Sequence, residues 1–331
     1  MDGNEHAPPG ELTMDLGARV AEALRGRDYD AARALVAAAA EGTAGDPRSH
    51  VTAGEPPPNW DRPVFVCGLH RSGTTLLTRF LESDYDVASL TGAKSIEGEG
   101  QFLQDVYPME RPYGGPGSFA FFRQMQLDPV TNARTAKATA RRLMGQWGSH
   151  FRGGAVPLEK SPPNLVRIAY LRSLFPKARF VILTRDPRAV SMATRKWSKS
   201  PLHELMLHWS VAHMVALRDM REDCHHLRYE DFCEDPAGHL SRIAEFCDLT
   251  PRAESSGPGR RFAEVSNSNG KYLAEWPGVT LDRLSVRPWE FFGYAFDPKD
   301  GVGKDEAKAG AAKGNARRKN AGRKADKKGA R

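Results

Sequence analysis

Residues 63–80 read PVFVCGLHRSGTTLLTRF. Val64, Phe65, Val66 and Cys67 form an unbroken apolar run, the pattern of a strand buried on both faces of a parallel sheet. Gly68 opens a polar loop that closes at Gly73. From Thr74 onward Leu76, Leu77, Phe80 and Leu81 recur at spacings of one, three and four, which collects them on one face of a helix. Strand, glycine-bounded loop and helix, in that order, put unpaired backbone N–H groups and the positive end of a helix dipole at the loop. The stretch therefore predicts an anion site, with Ser72, Thr74 and Thr75 adding hydroxyl donors. The glycine spacing is that of a Walker A loop, but Thr74 stands where that loop carries its phosphate-binding lysine. The cation lies inside the loop instead, as Arg71, so the loop suits phosphate without being built for magnesium-ATP.

Further along, apolar runs at Val87–Leu90, Val156–Glu159, Phe180–Thr184 and Cys224–Tyr229 predict four more strands. Helical periodicity separates them: Thr131–Gly148, then Asn164–Phe175 with Leu165, Ile168, Leu171 and Leu174 in phase, then Leu202–Met220. Alternation of this kind predicts an α/β fold, a P-loop NTPase-like three-layer domain with a central parallel sheet of about five strands. Ligands in such sheets bind beyond the carboxyl ends of the strands. Four polar segments then share one rim: Arg71–Thr75, Glu159–Ser161, Arg185–Arg188 and Tyr229–Asp231. Residues 111–128, with Gly114, Gly115, Pro116 and Gly117, read as a long loop that could wall an acceptor site. The aromatics of the 100–150 region, Phe102, Tyr107, Tyr113, Phe119, Phe121 and Phe122, either line a pocket or pack.

The predicted organisation is an N-terminal helical hairpin and linker (1–59), the α/β domain (60–298) and a disordered basic tail (299–331). Residues 303–331 hold 11 Lys and Arg against 3 Asp and Glu, a net of +8 in a chain whose total is +7. The remainder is thus near −1, an ordinary surface charge, and the basicity belongs to the tail. Its Lys, Arg, Ala and Gly cannot bury a core, so the tail either only solvates or binds a polyanion weakly and salt-sensitively. Four cysteines without a CxxC pair read as reduced and structural. Nothing resembles a signal peptide or an ~18-residue apolar span, so a cytoplasmic protein is expected. His208, His213, His225 and His226 lack a metal-ligand pattern, and no metal is expected.

Taken together, GLHRSGTTLL at 68–77, EKSPPNL at 159–165, FVILTRDPRAVSMATRKW at 180–197 and LRYEDFCEDP at 227–236 resemble the nucleotide-dependent sulfotransferases. The Arg-Ser-Gly-Thr-Thr loop is closer to the tyrosylprotein and carbohydrate branches and their bacterial relatives than to the cytosolic small-molecule branch. The resemblance spans about residues 60–298. It implies transfer of a sulfuryl group from 3′-phosphoadenosine 5′-phosphosulfate (PAPS) to a hydroxyl of a sugar, tyrosine, lipid or secondary metabolite. By resemblance Arg71, Ser72, Gly73, Thr74 and Thr75 hold the 5′-phosphosulfate and Arg185 pairs with the 3′-phosphate. The family's serine eight residues after that arginine is Ala193 here. Ser191 is favoured in its place, with Thr194 the other nearby hydroxyl. Tyr229 matches the tyrosine near the nucleotide and Lys271 a late basic segment over the 3′-phosphate. Arg71 and Lys160 would stabilise charge on the departing phosphate. Glu97 and Glu99 lie where relatives carry the base, and Glu99 is favoured. His70 takes the loop position usually held by proline. Two other readings stand beside this one: a P-loop kinase, and a non-catalytic nucleotide-binding protein acting through its tail or N-terminal hairpin.

Overall fold

The computed structural model describes residues 54–91, 98–252, 265–281 and 286–301. The expected N-terminal hairpin, Glu97 and nearly all of the basic tail lie outside the described residues. Strands and helices follow in the order β1 (Val64–Cys67), α1 (Thr74–Asp84), β2 (Val87–Leu90), α2 (Ala133–Gly148), β3 (Phe151–Gly153) and β4 (Val156–Lys160). Then come α3 (Ile168–Leu174), β5 (Arg179–Thr184), α4 (Pro187–Thr194), α5 (Leu202–Asp219), β6 (Cys224–Arg228), α6 (Tyr229–Glu234), α7 (Pro236–Cys247) and α8 (Gly270–Leu273).

The strands form one sheet in the order β3-β2-β4-β1-β5-β6. β1 runs parallel to both neighbours, with Phe65 opposite Glu159 on β4 and Phe180 on β5. The five expected strands are all present and parallel. The sixth, β3, pairs antiparallel with β2 at the edge, and its three residues are too short for any periodicity to announce.

Alternation along β1 assigns its two faces. Phe65 and Cys67 join one core with Leu143, Met144 and Trp147 of α2, Leu171 of α3 and Trp209 of α5. Val64 and Val66 join the other with Leu77 and Leu81 of α1, Phe232 of α6, and Leu240 and Ile243 of α7. Helices thus cover both faces, which is why β1 and the Phe180–Leu183 run of β5 could be apolar. Among the described residues no helix is long and apolar enough to cross a membrane.

Local differences from the sequence reading have physical causes. Tyr229 begins α6 rather than ending β6, and Glu230 and Asp231 in that helix's first turn favour its positive end. The helix expected over 164–175 breaks at the buried Arg167, separating a 3₁₀ turn at Pro162–Val166 from α3. Arg167 donates to the carbonyl of Pro108 and lies 4.6 Å over the Tyr107 ring. The long loop after residue 110 is organised by 3₁₀ turns at Arg111–Tyr113, Phe119–Phe121 and Arg123–Met125. Phe119 and Met125 are fully buried there, whereas Phe121 and Phe122 are exposed.

Candidate active site

Beyond the carboxyl end of β1, Gly68–Gly73 turns back toward α1. Ser72 N–H donates to the Leu69 carbonyl at 3.0 Å. Arg71 and Gly73 both lie in the left-handed region, at φ 70° and 100°. For a non-glycine residue this costs about 1–3 kcal/mol, so the surrounding structure must hold Arg71 there. Only glycine fits at 73: a Cβ would come 2.7 Å from Cδ2 of Tyr229. Gly73 caps α1 without a side-chain hydrogen bond, and no acidic residue enters the first turn. The Ser72 hydroxyl is buried with no hydrogen-bond partner among the described residues. An uncapped positive helix end, a buried hydroxyl donor and a loop arginine suit an anion.

At the end of β5, Arg185 is 5% exposed and makes three directed hydrogen bonds. Nε donates to Asn269 Oδ1 at 2.8 Å, one terminal nitrogen to the Arg71 carbonyl at 2.7 Å, the other to Ser268 Oγ at 2.9 Å. Its guanidinium lies 4.3 Å over the Tyr229 ring. The Tyr229 hydroxyl in turn donates to the Ser266 carbonyl at 3.2 Å and accepts from the Ser268 N–H at 3.3 Å. Glu230 accepts from Asn269 Nδ2, the Asp186 N–H and the Tyr294 hydroxyl at 2.7, 2.9 and 2.9 Å. Arg188 is instead paired with Asp186 at 2.8 Å, and Asp186 also caps α4. It is a structural cation, unlike Arg185.

Tyr272 collects the remaining positive charge. Burial alone would raise its phenol pKa, but a hydrogen bond from Arg71 and the charges of Lys271, Arg71 and Arg185 outweigh burial and lower it. Lys271 itself is exposed beside the ring. Arg71 lies 4.8 Å over the Trp197 ring, which is 61% exposed.

The end of β4 carries the acidic half. Glu99 is buried, 3.2 Å from Lys160 Nζ, and accepts from Gln101 Nε2 at 2.7 Å. Burial raises its pKa above the usual carboxylate value, partly opposed by Lys160 and His70. The neighbouring Glu159 is consumed structurally: it accepts from the Gly100 N–H at 2.9 Å and from Ser161 and Asn164. His70 Nε2 lies 3.0 Å from Glu110 Oε1, and ligand atoms of His70, Glu99 and Glu110 all fall within 4.8 Å of one another.

Arg71, Arg185, Tyr229 and Lys271 thus gather around the loop through Ser268 and Tyr272, and Lys160 meets Glu99. Ser191 makes no hydrogen bond to Arg185; it lines a small cavity with Leu69 and His70. Sequence reading missed Glu110, Ser268, Asn269, Glu230, Tyr272 and Trp197. The SNSNG run and the glutamate of Tyr-Glu-Asp were the available signals for three of them, and Glu110 had none.

The model of the sulfotransferase family matches residues 63–253, which contain the loop, Glu99, Lys160, Arg185 and Tyr229. The chain is 23% identical over 197 residues to protein-tyrosine sulfotransferase A of Caenorhabditis elegans, covering 56% of this chain and 50% of that protein. It is 24% identical over 204 residues to protein-tyrosine sulfotransferase 1 of Danio rerio, covering 58% and 54%. The chain spans about half the length of the curated relatives it matches. Among solved structures, the sulfotransferase domain of the Synechococcus PCC 7002 olefin synthase aligns with a TM-score of 0.44 and 19% identity, over 75% of this chain and 98% of that one. With the family match covering more than half of its length, the chain belongs to the sulfotransferase family.

Proposed function

We propose that the protein transfers a sulfuryl group from PAPS to a hydroxyl of an acceptor by in-line displacement. The observation that carries this reading is the joining of the two donor-site arginines: Arg185 donates to the backbone carbonyl of Arg71, so phosphate-binding groups from β1 and β5 form one unit. The uncapped α1 and the buried Ser72 hydroxyl fit an anionic donor. Arg71, Ser72, Gly73, Thr74 and Thr75 would hold its 5′-phosphosulfate, and Arg185, Ser268, Tyr229 and Lys271 its 3′-phosphate end. Ser191, facing the cavity beside His70, is left out of this set. When bound, PAPS supplies the sulfuryl group and a bisphosphate leaving group.

The chain's residues have three tasks. Lys160 and Arg71 offset charge on the departing phosphate oxygen, as fixed donors do for developing charge elsewhere. Glu99 takes the acceptor's hydroxyl proton. Burial raises its pKa and so strengthens it as a base, and the charges of Lys160 and His70 oppose that rise. Arg185 and Tyr229 hold the donor in register, since positioning supplies much of the rate in transfers of this kind. The acceptor is a hydroxyl compound, with sugar, tyrosine, lipid and secondary metabolite as candidates. A cytoplasmic location belongs to the same proposal, and the four cysteines are free thiols.

The test is a thermal melt with 3′-phosphoadenosine 5′-phosphate (PAP), without magnesium. PAP should raise Tm and magnesium-ATP should not. The opposite pattern would return the loop to the kinase reading. Turnover of labelled PAPS against a hydroxyl library then separates an enzyme from a non-catalytic nucleotide binder.

A further inference from the structure

A small, partly open cavity lies between the 68–73 loop, α4, α5 and the segment around Gly117, lined in part by Leu69, His70, Gly117, Ser191, Leu205 and His208. Three of these residues bring a buried polar atom with no hydrogen-bond partner among the described residues: His70 Nδ1, Ser191 Oγ and His208 Nε2. Ser191 and His208 are 1% and 3% exposed. Folded proteins leave few buried polar groups unpaired, because each costs about 1–3 kcal/mol. Three such groups, from three separate elements around one cavity, mark a place prepared for a hydrogen-bonding guest.

The donor and acceptor pattern says what kind of guest. Glu110 engages Nε2 of His70, which leaves Nδ1 as the ring atom without a partner among the described residues. A hydroxyl both donates and accepts, so it can meet Nδ1 whichever role that atom takes. Ser191 can donate or accept. His208 is kept uncharged by burial, its pKa lowered to about 3, and among the described residues no Lys or Arg lines the cavity. An anion would find no guanidinium or ammonium among these lining residues, and a guest without an O–H or N–H could not both donate and accept across the three atoms. There is room for about one water-sized group. Gly117, at φ 90°, maintains that room, since a Cβ there would collide with Leu205. His70 directly precedes Arg71, and His70, Glu110 and Glu99 cluster together, so the cavity adjoins the proposed reaction centre.

We propose that this cavity is a subsite for a second, unreacting hydroxyl of the acceptor, so that acceptors with neighbouring hydroxyls, as in diols and sugars, are the preferred class. The inference rests on the sulfuryl-transfer reading for the identity of the guest. The subsite itself is tested without turnover, on full-length protein labelled with ¹⁵N-histidine and titrated with ethylene glycol. Saturable shifts of His70 Nδ1 and His208 Nε2 are expected, with half-saturation at roughly 10–100 mM for so small a probe. 1,2-Dimethoxyethane, which cannot donate, and formate, which is anionic, should leave both resonances in place. Ser191→Val, which fills the cavity, should abolish the glycol response; the wild-type comparison of the three probes decides the matter even where that variant fails to fold. No saturable glycol shift means the cavity holds water only and overturns the proposal, as does an equal response to dimethoxyethane or formate. The PAP melt is independent: glycol binding without a PAP shift removes the nucleotide reading and leaves the hydroxyl subsite, and the reverse result does the opposite.

Discussion

The two sides of the 68–73 loop are built on opposite principles. On the Arg185 side, the side chains of Arg185, Tyr229, Glu230, Asn269 and Tyr294 all have partners, tied into one network that joins the end of β5, the first turn of α6, the segment before α8 and Tyr294. On the His70 side, buried polar atoms of His70, Glu110, Ser191 and His208 lack them. A satisfied network holds a geometry fixed in advance, which suits a constant donor molecule. An unsatisfied one keeps hydrogen-bonding capacity for whatever enters, which suits an acceptor. Glu99 and Lys160 stand at the junction.

The junction should be the most sensitive point. Glu99→Gln is expected to slow turnover by roughly 10²–10⁴-fold while leaving the PAP thermal shift largely intact; equal loss of both would make Glu99 part of the donor network instead. Because burial raises the Glu99 pKa, activity should climb with pH along a limb placed above 4.5, the ordinary value for glutamate. The buried Lys160 also loses its ion pair with Glu99 in this variant, so a lower Tm should accompany the kinetic effect.

Breaking the satisfied side comes next. Arg185→Lys keeps the charge but not the fork that reaches Asn269, Ser268 and the Arg71 carbonyl at once. Weakening of PAP binding by about 10–100-fold is expected by calorimetry, and unchanged affinity would show that charge alone suffices there.

Two buried histidines should show their character in acid, His208 beside the cavity and His213 stacked on Trp209. His208 and His213 are both buried with pKa values lowered to about 3, against 6.5 in the unfolded chain. Between these values the unfolded state binds more protons, so the stability they preserve is whole above pH 6.5 and is lost as pH falls toward 3. The slope is at most about 1.4 kcal/mol per pH unit for each ring. Denaturant midpoints measured from pH 7.5 to 5 should fall accordingly, and His213→Phe should flatten the decline.

Two smaller effects complete the contrast. Tyr229→Phe keeps the ring under Arg185 and loses only the hydroxyl's bonds to Ser266 and Ser268, a loss of about 1 kcal/mol readable as a lower Tm. Deleting residues 303–331 should leave PAP binding unchanged and remove low-salt binding to a polyanion such as heparin; retained heparin binding would place that property elsewhere.

Backbone-determined features were legible early. Residues 63–80 implied strand, loop and helix because an apolar run, two glycines and a helical stripe each have one economical conformation. The Arg-Asp-Pro-Arg that follows the fourth predicted strand is readable for a similar reason: its proline and aspartate start a helix where the apolar strand must end. Glu99 could be favoured only by resemblance, since an isolated glutamate in a glycine-rich segment carries no periodicity. Glu110 and His208 gave no signal, one sitting in an apparent loop and the other on a helix stripe that reads as core.

By itself the sequence determined the three-layer sheet, the glycine-bounded loop between β1 and α1 and the arginine at the end of β5, because periodicity and turn chemistry act over a few neighbouring residues. Only the tertiary structure decided that Glu99 meets Lys160 from 61 residues away, that Arg185 grips the loop's own backbone, and that Ser191 faces His70 and His208 across a cavity. Such pairings depend on which strand lies beside which, and on hydrogen-bond directions fixed only once the chain has closed on itself.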